Sequence, residues 1–376
     1  MAMSREASRR EAAGQRILHL EIGQPSTGAP RAAVRAAAAA LNQPLGYTDA
    51  PGTPALRTRI AELYAHRHGL EVACERIMVV AGASAGFTLA FLAAFDTGAR
   101  VGVVEPGYPC YRNTLLALGM EPVAIPVGPE TRWAPTPQLL NAAGRLDGLI
   151  LASPSNPTGT VLGPAALGQL AQYCRQRDIR LIADEIYHGI TYTGPATSAL
   201  AVTDQAVVVN SFSKYHSMTG WRIGWMVVPD DLVDAVERLQ QNLYICAPHV
   251  SQVAALAALE ATEELEAHVV RYRDNRAVLL DGLATAGIDQ VADADGAFYV
   301  YAEVSHLIER LGADTGTGAR PDSMALCQRW LDEIGVACTP GIDFDLARGG
   351  RSVRFSYAGQ GDHIAAACEL LARWSP

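Results

Sequence analysis

Seven short apolar runs, rich in β-branched residues, begin at Ile77, Val101, Val123, Leu149, Arg180, Ala206 and Gly224, mostly separated by helix-length segments. The runs show no alternation of apolar and polar residues, which is the pattern of strands covered on both faces in a mostly parallel sheet. The chain is therefore expected to be α/β, with a seven-stranded mostly parallel sheet in a large domain at 44–260. Past Pro229 the text turns helical from Ser251 to Gly287, then strand-like at Ala297 to Tyr301 and Ser352 to Tyr357. We read this as a smaller α+β domain built from 1–43 and 261–376, with Gly312 to Pro321 as a surface loop. The uncharged stretch Ile77 to Phe95 is as long as a membrane span, but Gly82, Ser84, Gly86 and Thr88 interrupt it. Strand, small-residue loop and buried helix are expected there instead.

Composition narrows the function. Apolar residues at 49% and charged residues at 18% of 376 exclude disordered and collagenous classes. The net charge of −9 sets up a field that repels nucleic acid and anionic lipid. The 7 cysteines are scattered with no CxxC pair, so neither a disulfide framework nor a metal site is expected, and a reducing, cytoplasmic compartment fits. Ser4 to Arg16 interleaves arginine with glutamate and reads as a solvated helix, not a targeting segment. Of the 30 basic residues, Lys214 is the only lysine. Arginine can replace lysine in ion pairs, but a guanidinium does not form an imine with a carbonyl at neutral pH. What surrounds Lys214 then decides whether it carries chemistry.

Two motifs point elsewhere. Gly82-Ala83-Ser84-Ala85-Gly86 fits G-x-S-x-G, the nucleophile elbow of α/β-hydrolases, and would need His363 with Asp343 or Asp345 to complete a triad. The same small-residue turn, opening a helix, presents free backbone N–H groups to a phosphate. Ser211-Phe212-Ser213-Lys214 matches S-x-x-K, but the K-T-G that accompanies it in penicillin-binding enzymes is impossible in a chain with one lysine.

A single constellation absorbs the polar residues at the strand ends, where ligands sit in open α/β sheets. It comprises Ala83-Ser84; Tyr108 in Pro106-Gly107-Tyr108-Pro109; Asn156-Pro157-Thr158-Gly159; Asp184-Glu185-Ile186-Tyr187; Ser211-Phe212-Ser213-Lys214; and Gly220-Trp221-Arg222. In order and separation these motifs resemble the fold type I pyridoxal 5′-phosphate (PLP) enzymes of the class I and II aminotransferase group, from Gly23 to Arg354. The resemblance implies that Lys214 bonds to the cofactor's aldehyde and later shuttles a proton, while Asp184 faces the pyridine nitrogen. Asn156 and Tyr187 would bind the ring's phenolic oxygen, and Tyr108 would stack on the ring. Ala83, Ser84, Ser211 and Arg222 would hold the phosphate, and Ser213 would also bind the cofactor. Tyr47, in Gly46-Tyr47-Thr48, would join them from the second subunit of a homodimer. Arg354 would clamp the substrate α-carboxylate, aided by Asn156 and the backbone at Gly23.

The implied activity is transfer of an amino group from an L-α-amino acid to a 2-oxo acid such as 2-oxoglutarate or pyruvate. β-Elimination on the same fold is the alternative, and a Ser84 hydrolase a distant one. A noncatalytic PLP-binding regulator domain would need a DNA-binding module, and only 22 residues precede Gly23. Asn242 to Pro248 holds no Arg or Lys, which favours a neutral or aromatic donor. The stretch before Gly23 and the segment Asp343 to Gly350 depart from the family pattern.

Overall fold

The computed structural model describes residues 2–315 and 321–375. The chain starts with helix α1 (Ala2–Ala12) and short strand β1 (Leu18–His19), then α2 (Arg31–Ala40) and α3 (Pro54–His68). The seven apolar runs become β2 (Ile77–Val80), β3 (Arg100–Glu105), β4 (Glu121–Pro126), β5 (Gly148–Ala152), β6 (Arg180–Asp184), β7 (Val207–Ser211) and β8 (Gly224–Val227). Between them run α4 (Ala83–Ala94), α5 (Pro109–Ala117), α6 (Pro137–Ala142) and α7 (Pro164–Arg175). Helices α3, α5, α6 and α7 each open on proline, whose fixed φ suits the first turn and whose missing N–H costs nothing there.

The strands form one sheet in the order β2-β8-β7-β6-β5-β3-β4, in which β8 alone runs against its neighbours. Alternate residues of each strand enter different cores. Ile77, Val79, Leu149, Leu151 and Val208 pack on one face, and Met78, Val80, Ile150, Val207 and Val209 on the other. Both faces being covered, neither set could be polar, which is why the sequence shows no alternation. Each such side chain, fully buried, contributes about 1.5–3 kcal/mol. Parallel strands bring their carboxyl ends to one edge of the sheet, and there the chain leaves β3, β5, β6 and β7 toward Tyr108, Asn156, Asp184 and Lys214.

After β8 come α8 (Val233–Leu243), α9 (His249–Ala258) and α10 (Thr262–Thr285), so the helical text from Ser251 to Gly287 is two helices. The remainder is β9 (Tyr299–Glu303), α11 (Ser305–Thr315), α12 (Ser323–Ile334), β10 (Val336–Ala337), β11 (Thr339–Pro340), β12 (Ser352–Ser356) and α13 (Gly361–Arg373). A three-stranded antiparallel sheet, β11-β12-β9, is covered by a core containing Trp330, Phe355, Tyr272 and Leu283. Strand β1 pairs in parallel with β10, tying the N-terminal segment into this second core.

Three expectations change. The N-terminal helix is not solvated all round: α1 buries Met3 and Ala7, and Arg10 bonds Asp332 on α12. One methionine and one alanine four apart make too narrow a stripe to stand out among arginines and glutamates. Helix α2, assigned by sequence to the smaller unit, instead buries Ala33 and Ala37 in the core beside the large sheet, near α9. Of the surface loop read at Gly312 to Pro321, residues 312–315 finish α11, and 316–320 lie outside the described residues. No described helix is long and apolar enough to cross a membrane, and Ile77 to Phe95 is β2 followed by α4.

Candidate active site

Asp184 ends β6 in a buried position, 5% exposed. The Ile186 N–H donates to its Oδ1 at 3.0 Å, and the Tyr111 hydroxyl donates to Oδ2 in a short hydrogen bond. Burial pushes its pKa up to about 6, while the two donors and the Lys214 charge pull the other way. Lys214 follows β7, and its Nζ donates to the Gly23 carbonyl at 2.5 Å. Burial, then the Arg354 and Arg222 charges, bring its pKa down to about 8, with Asp184 opposing. At neutral pH about a tenth of such an amine is unprotonated, far more than for an ordinary lysine. The Tyr187 ring lies 5.9 Å from Lys214 Nζ, and its hydroxyl is 2.7 Å from that of Tyr299.

An anion seat lies beside this pair. Helix α4 starts at Ala83 behind Gly82, whose φ of +82° suits glycine, and its first backbone N–H groups, at Ala83 and Ser84, have no partner within the helix. A Cβ on Gly82 would sit 2.4 Å from an Arg222 guanidinium nitrogen, so the bare glycine also lets that side chain lie across the helix start. Ser211 Oγ lies 3.0 Å from the Ile223 carbonyl and 2.8 Å from Ser213 Oγ, both serines being buried. Gly224 pairs with Ser211 on one side and Val80 on the other, which brings the Arg222 loop to the α4 N-terminus.

The opposite wall comes from the second sheet. Arg354, in the middle strand β12, is 6% exposed. Its Nη2 donates to the Glu21 carbonyl at 2.7 Å and lies 3.2 Å from Thr339 Oγ1; its Nη1 donates to Asn156 Oδ1 at 3.0 Å. Among the described residues the buried Nε has no partner and no carboxylate pairs with this guanidinium. Its Cζ lies 4.4 Å from the Tyr299 ring and 4.9 Å from Phe344. A buried cation served only by neutral oxygens and ring faces is a ready seat for a planar carboxylate. Gly23 is required at the rim, because a Cβ there would stand 2.9 Å from the Tyr299 hydroxyl. Gly159, with φ +69°, presses against the backbone of Ala294 and Gly296, joining the Asn156 loop to the second lobe.

The structure thus gathers Gly23, Asn156, Tyr187, Lys214 and Arg354 around Tyr299 through direct contacts, places Asp184 where its charge acts on Lys214, and sets Ala83, Arg222, Ser211 and Ser213 beside them. Ser84 is exposed at the helix start, and Tyr108, 39% exposed, caps α5 with its ring edge-on to Tyr111. Tyr47 is 82% exposed and makes no hydrogen bond among the described residues. The hydrolase triad does not assemble: Asp345 is fastened to Arg348, and His363 is exposed at the start of α13. The unusual Asp343 to Gly350 segment docks on the loop after β3, where the Gly107 N–H donates to the Phe344 carbonyl at 3.0 Å and Arg348 to that of Glu105 at 2.7 Å. Sequence reading missed Tyr111, Tyr299 and Thr339. Only Tyr111 left a trace, three residues beyond Tyr108 and so one helical turn away.

A half-buried amine within the field of a buried carboxylate, together with a buried arginine that has no anion among the described residues, is machinery for amino-acid chemistry on an α/β sheet edge. The sequence profile of aminotransferase class I and II matches residues 15–371. A valine–pyruvate aminotransferase of Mycobacterium tuberculosis is 50% identical over 368 residues, 96% of this chain and 91% of its own. An arginine–pyruvate transaminase of Pseudomonas aeruginosa is 32% identical over 366 residues, 96% of this chain and 90% of its own. The crystal structure of an aminotransferase from Mycobacterium tuberculosis superposes with a TM-score of 0.94 at 49% identity, covering 100% of this chain and 95% of that one. The chain belongs to the class I and II aminotransferases, a fold type I family that uses PLP. It is a transaminase that moves an amino group from an amino acid to a 2-oxo acid; β-elimination and serine hydrolysis are not favoured.

Proposed function

We propose that the chain uses PLP to transfer the amino group of a neutral amino acid, with valine as the model donor, to pyruvate or a similar 2-oxo acid. The observation that carries this is the buried Arg354, with no anion among the described residues, on the cleft that also holds Lys214 and the carboxylate of Asp184. The residues fit the cofactor. The Gly82 cradle, the free N–H groups of Ala83 and Ser84, and Arg222 suit a phosphate dianion, joined by Ser211 and Ser213. Asp184 suits a protonated ring nitrogen, Tyr187 and Asn156 a phenolic oxygen, Tyr108 an aromatic face, and Lys214 an aldehyde. When bound, PLP supplies an electron sink for the charge left on the substrate's Cα.

The side chains then have separate tasks. Arg354 orients the amino acid by its carboxylate, with Asn156 holding the guanidinium in place from the sheet side. Lys214 Nζ, whose lowered pKa keeps a usable fraction unprotonated, takes the proton from Cα. With PLP bound, Asp184 would hold a proton on the ring nitrogen. Beyond Arg354 the rings of Phe344, Tyr301 and Trp133 follow one another at 6.3 Å and 5.6 Å between centroids, an apolar wall for the donor's side chain. The valine–pyruvate relative supports the same donor class. The working form in this reading is a cytoplasmic homodimer in which the exposed Tyr47 reaches the neighbour's phosphate seat.

Incubation with PLP, borohydride reduction and peptide mass analysis test the cofactor, with a pyridoxyl adduct on Lys214 expected. A panel of donors with pyruvate tests the substrate. Valine or another neutral amino acid should exceed aspartate in kcat/KM, and a preference for aspartate would overturn the donor class.

A further inference from the structure

Among the described residues Asp184 is the one carboxylate whose charge acts on Lys214, and something has to hold it ionised and aimed in a setting that burial makes hostile to charge. Its own loop supplies a single donor, the Ile186 N–H. The second comes from a different element: Tyr111, in the first turn of α5, is 4% exposed and directs its hydroxyl onto Oδ2. Burial holds the phenol well above its ordinary pKa, so it remains a proton donor. The ring is wedged edge-on against Phe87 at 5.1 Å and Tyr108 at 5.6 Å, which fixes where the hydroxyl points. Other titratable groups face the same carboxylate: Tyr108 and Cys110 from the α5 start, Glu185 and Tyr187 from its own loop, and Lys214 from the loop after β7. None of them donates a hydrogen bond to it among the described residues.

We infer that Tyr111 is a positioning residue for the transamination: by donating to Asp184 it orients the carboxylate and lowers its proton affinity, so that the proton shared with the cofactor stays on the ring nitrogen. This rests on the reading that PLP is bound with its nitrogen against Asp184. A carboxylate that receives two donors and is pinned in its plane keeps its remaining lone pairs for one further N–H. Without the hydroxyl, burial would go less opposed, Asp184 would compete for that proton, and the ring would lose its charge. The same tyrosine also holds the α5 start, and hence Tyr108, in register with the strand end that carries Asp184.

Tyr111→Phe tests the idea while keeping the ring and its edge contacts. In the cofactor-free protein, PLP affinity measured by fluorescence quenching should fall about tenfold to hundredfold, the range for a hydrogen bond to a charged group. The decisive comparison uses the PLP analogue with C–H in place of the ring nitrogen. If Tyr111 acts through Asp184 on that nitrogen, the variant and the wild type should bind the analogue alike. In an Asp184→Ala background, adding Tyr111→Phe should change PLP affinity less than about threefold, since coupled residues are not additive. Equal losses with both cofactors, or full additivity with Asp184→Ala, would show a packing role and overturn the inference. Wild-type protein that takes up no PLP on Lys214 would defeat the cofactor reading itself; normal uptake with an indifferent Tyr111→Phe would defeat this inference alone.

Discussion

Asp184 and Arg354 are both buried charges on one cleft, and they are held in opposite ways. Asp184 stands at the end of β6 and takes donors from its own loop and from α5, all within the wall made by the large sheet. Arg354 is held by Glu21, Thr339 and Asn156, residues from the N-terminal segment, β11 and the opposite lobe. The carboxylate is therefore built by one lobe, and the arginine seat exists only when three distant segments converge. The difference also divides the chemistry. One wall has its charge already served and suits a permanent cofactor, while the other keeps an unpaired cation for a substrate that comes and goes.

The strongest way to break this division is at the residue between the walls. Lys214→Ala is expected to fold and to lose turnover by several orders of magnitude, measured as single-turnover conversion of valine; retained activity would remove it from the proton path. Next, Arg354→Ala should lower kcat/KM for amino acids by about 2–5 kcal/mol, roughly 30-fold to several thousandfold, yet leave PLP affinity nearly intact. A parallel loss of PLP affinity would mean that the two walls are not separate.

Asp184→Asn sharpens the other side through pH. The folded-state pKa of about 6 lies above the ordinary value of 3.8, so stability present at low pH is lost as pH rises from about 4 through 6. Cofactor-free Asp184→Asn should therefore be more stable than wild type by about 3 kcal/mol at pH 7 and no more stable at pH 4, in denaturant titrations at each pH. The same variant should bind PLP more weakly. For Lys214 the sign is reversed: its amine reacts when unprotonated, so the rate of PLP capture should climb with pH and reach half its maximum near 8, against 10.5 for an ordinary lysine. Stopped-flow absorbance from pH 6 to 10 would measure it. The smallest effect is at the seam. Gly159→Ala puts a Cβ 2.8 Å from the Ala294 Cα and the Gly296 carbonyl with φ at +69°, and should cost about 1–3 kcal/mol of stability while raising KM more than it lowers kcat.

Much of this was legible in the chain. The seven apolar runs, their lack of alternation and their helix-length spacing predict the sheet, and strand polarity then assigns Tyr108, Asn156, Asp184 and Lys214 to a common edge. The solitary lysine pointed to Lys214 as the candidate reacting centre, because arginine cannot take its place. The reading of the sheet succeeds because a strand's period and the position of its carboxyl end are local properties. Tertiary structure alone decided the rest. The burial of Met3 and Ala7 depends on α12 and β10, and the Tyr187–Tyr299 and Tyr111–Asp184 hydrogen bonds join residues 112 and 73 positions apart. The seat of Arg354 spans Glu21 to Thr339, and no period or spacing in a sequence encodes which distant side chains will share a desolvated space. That is set by how two cores pack against each other, a cooperative outcome of all their contacts.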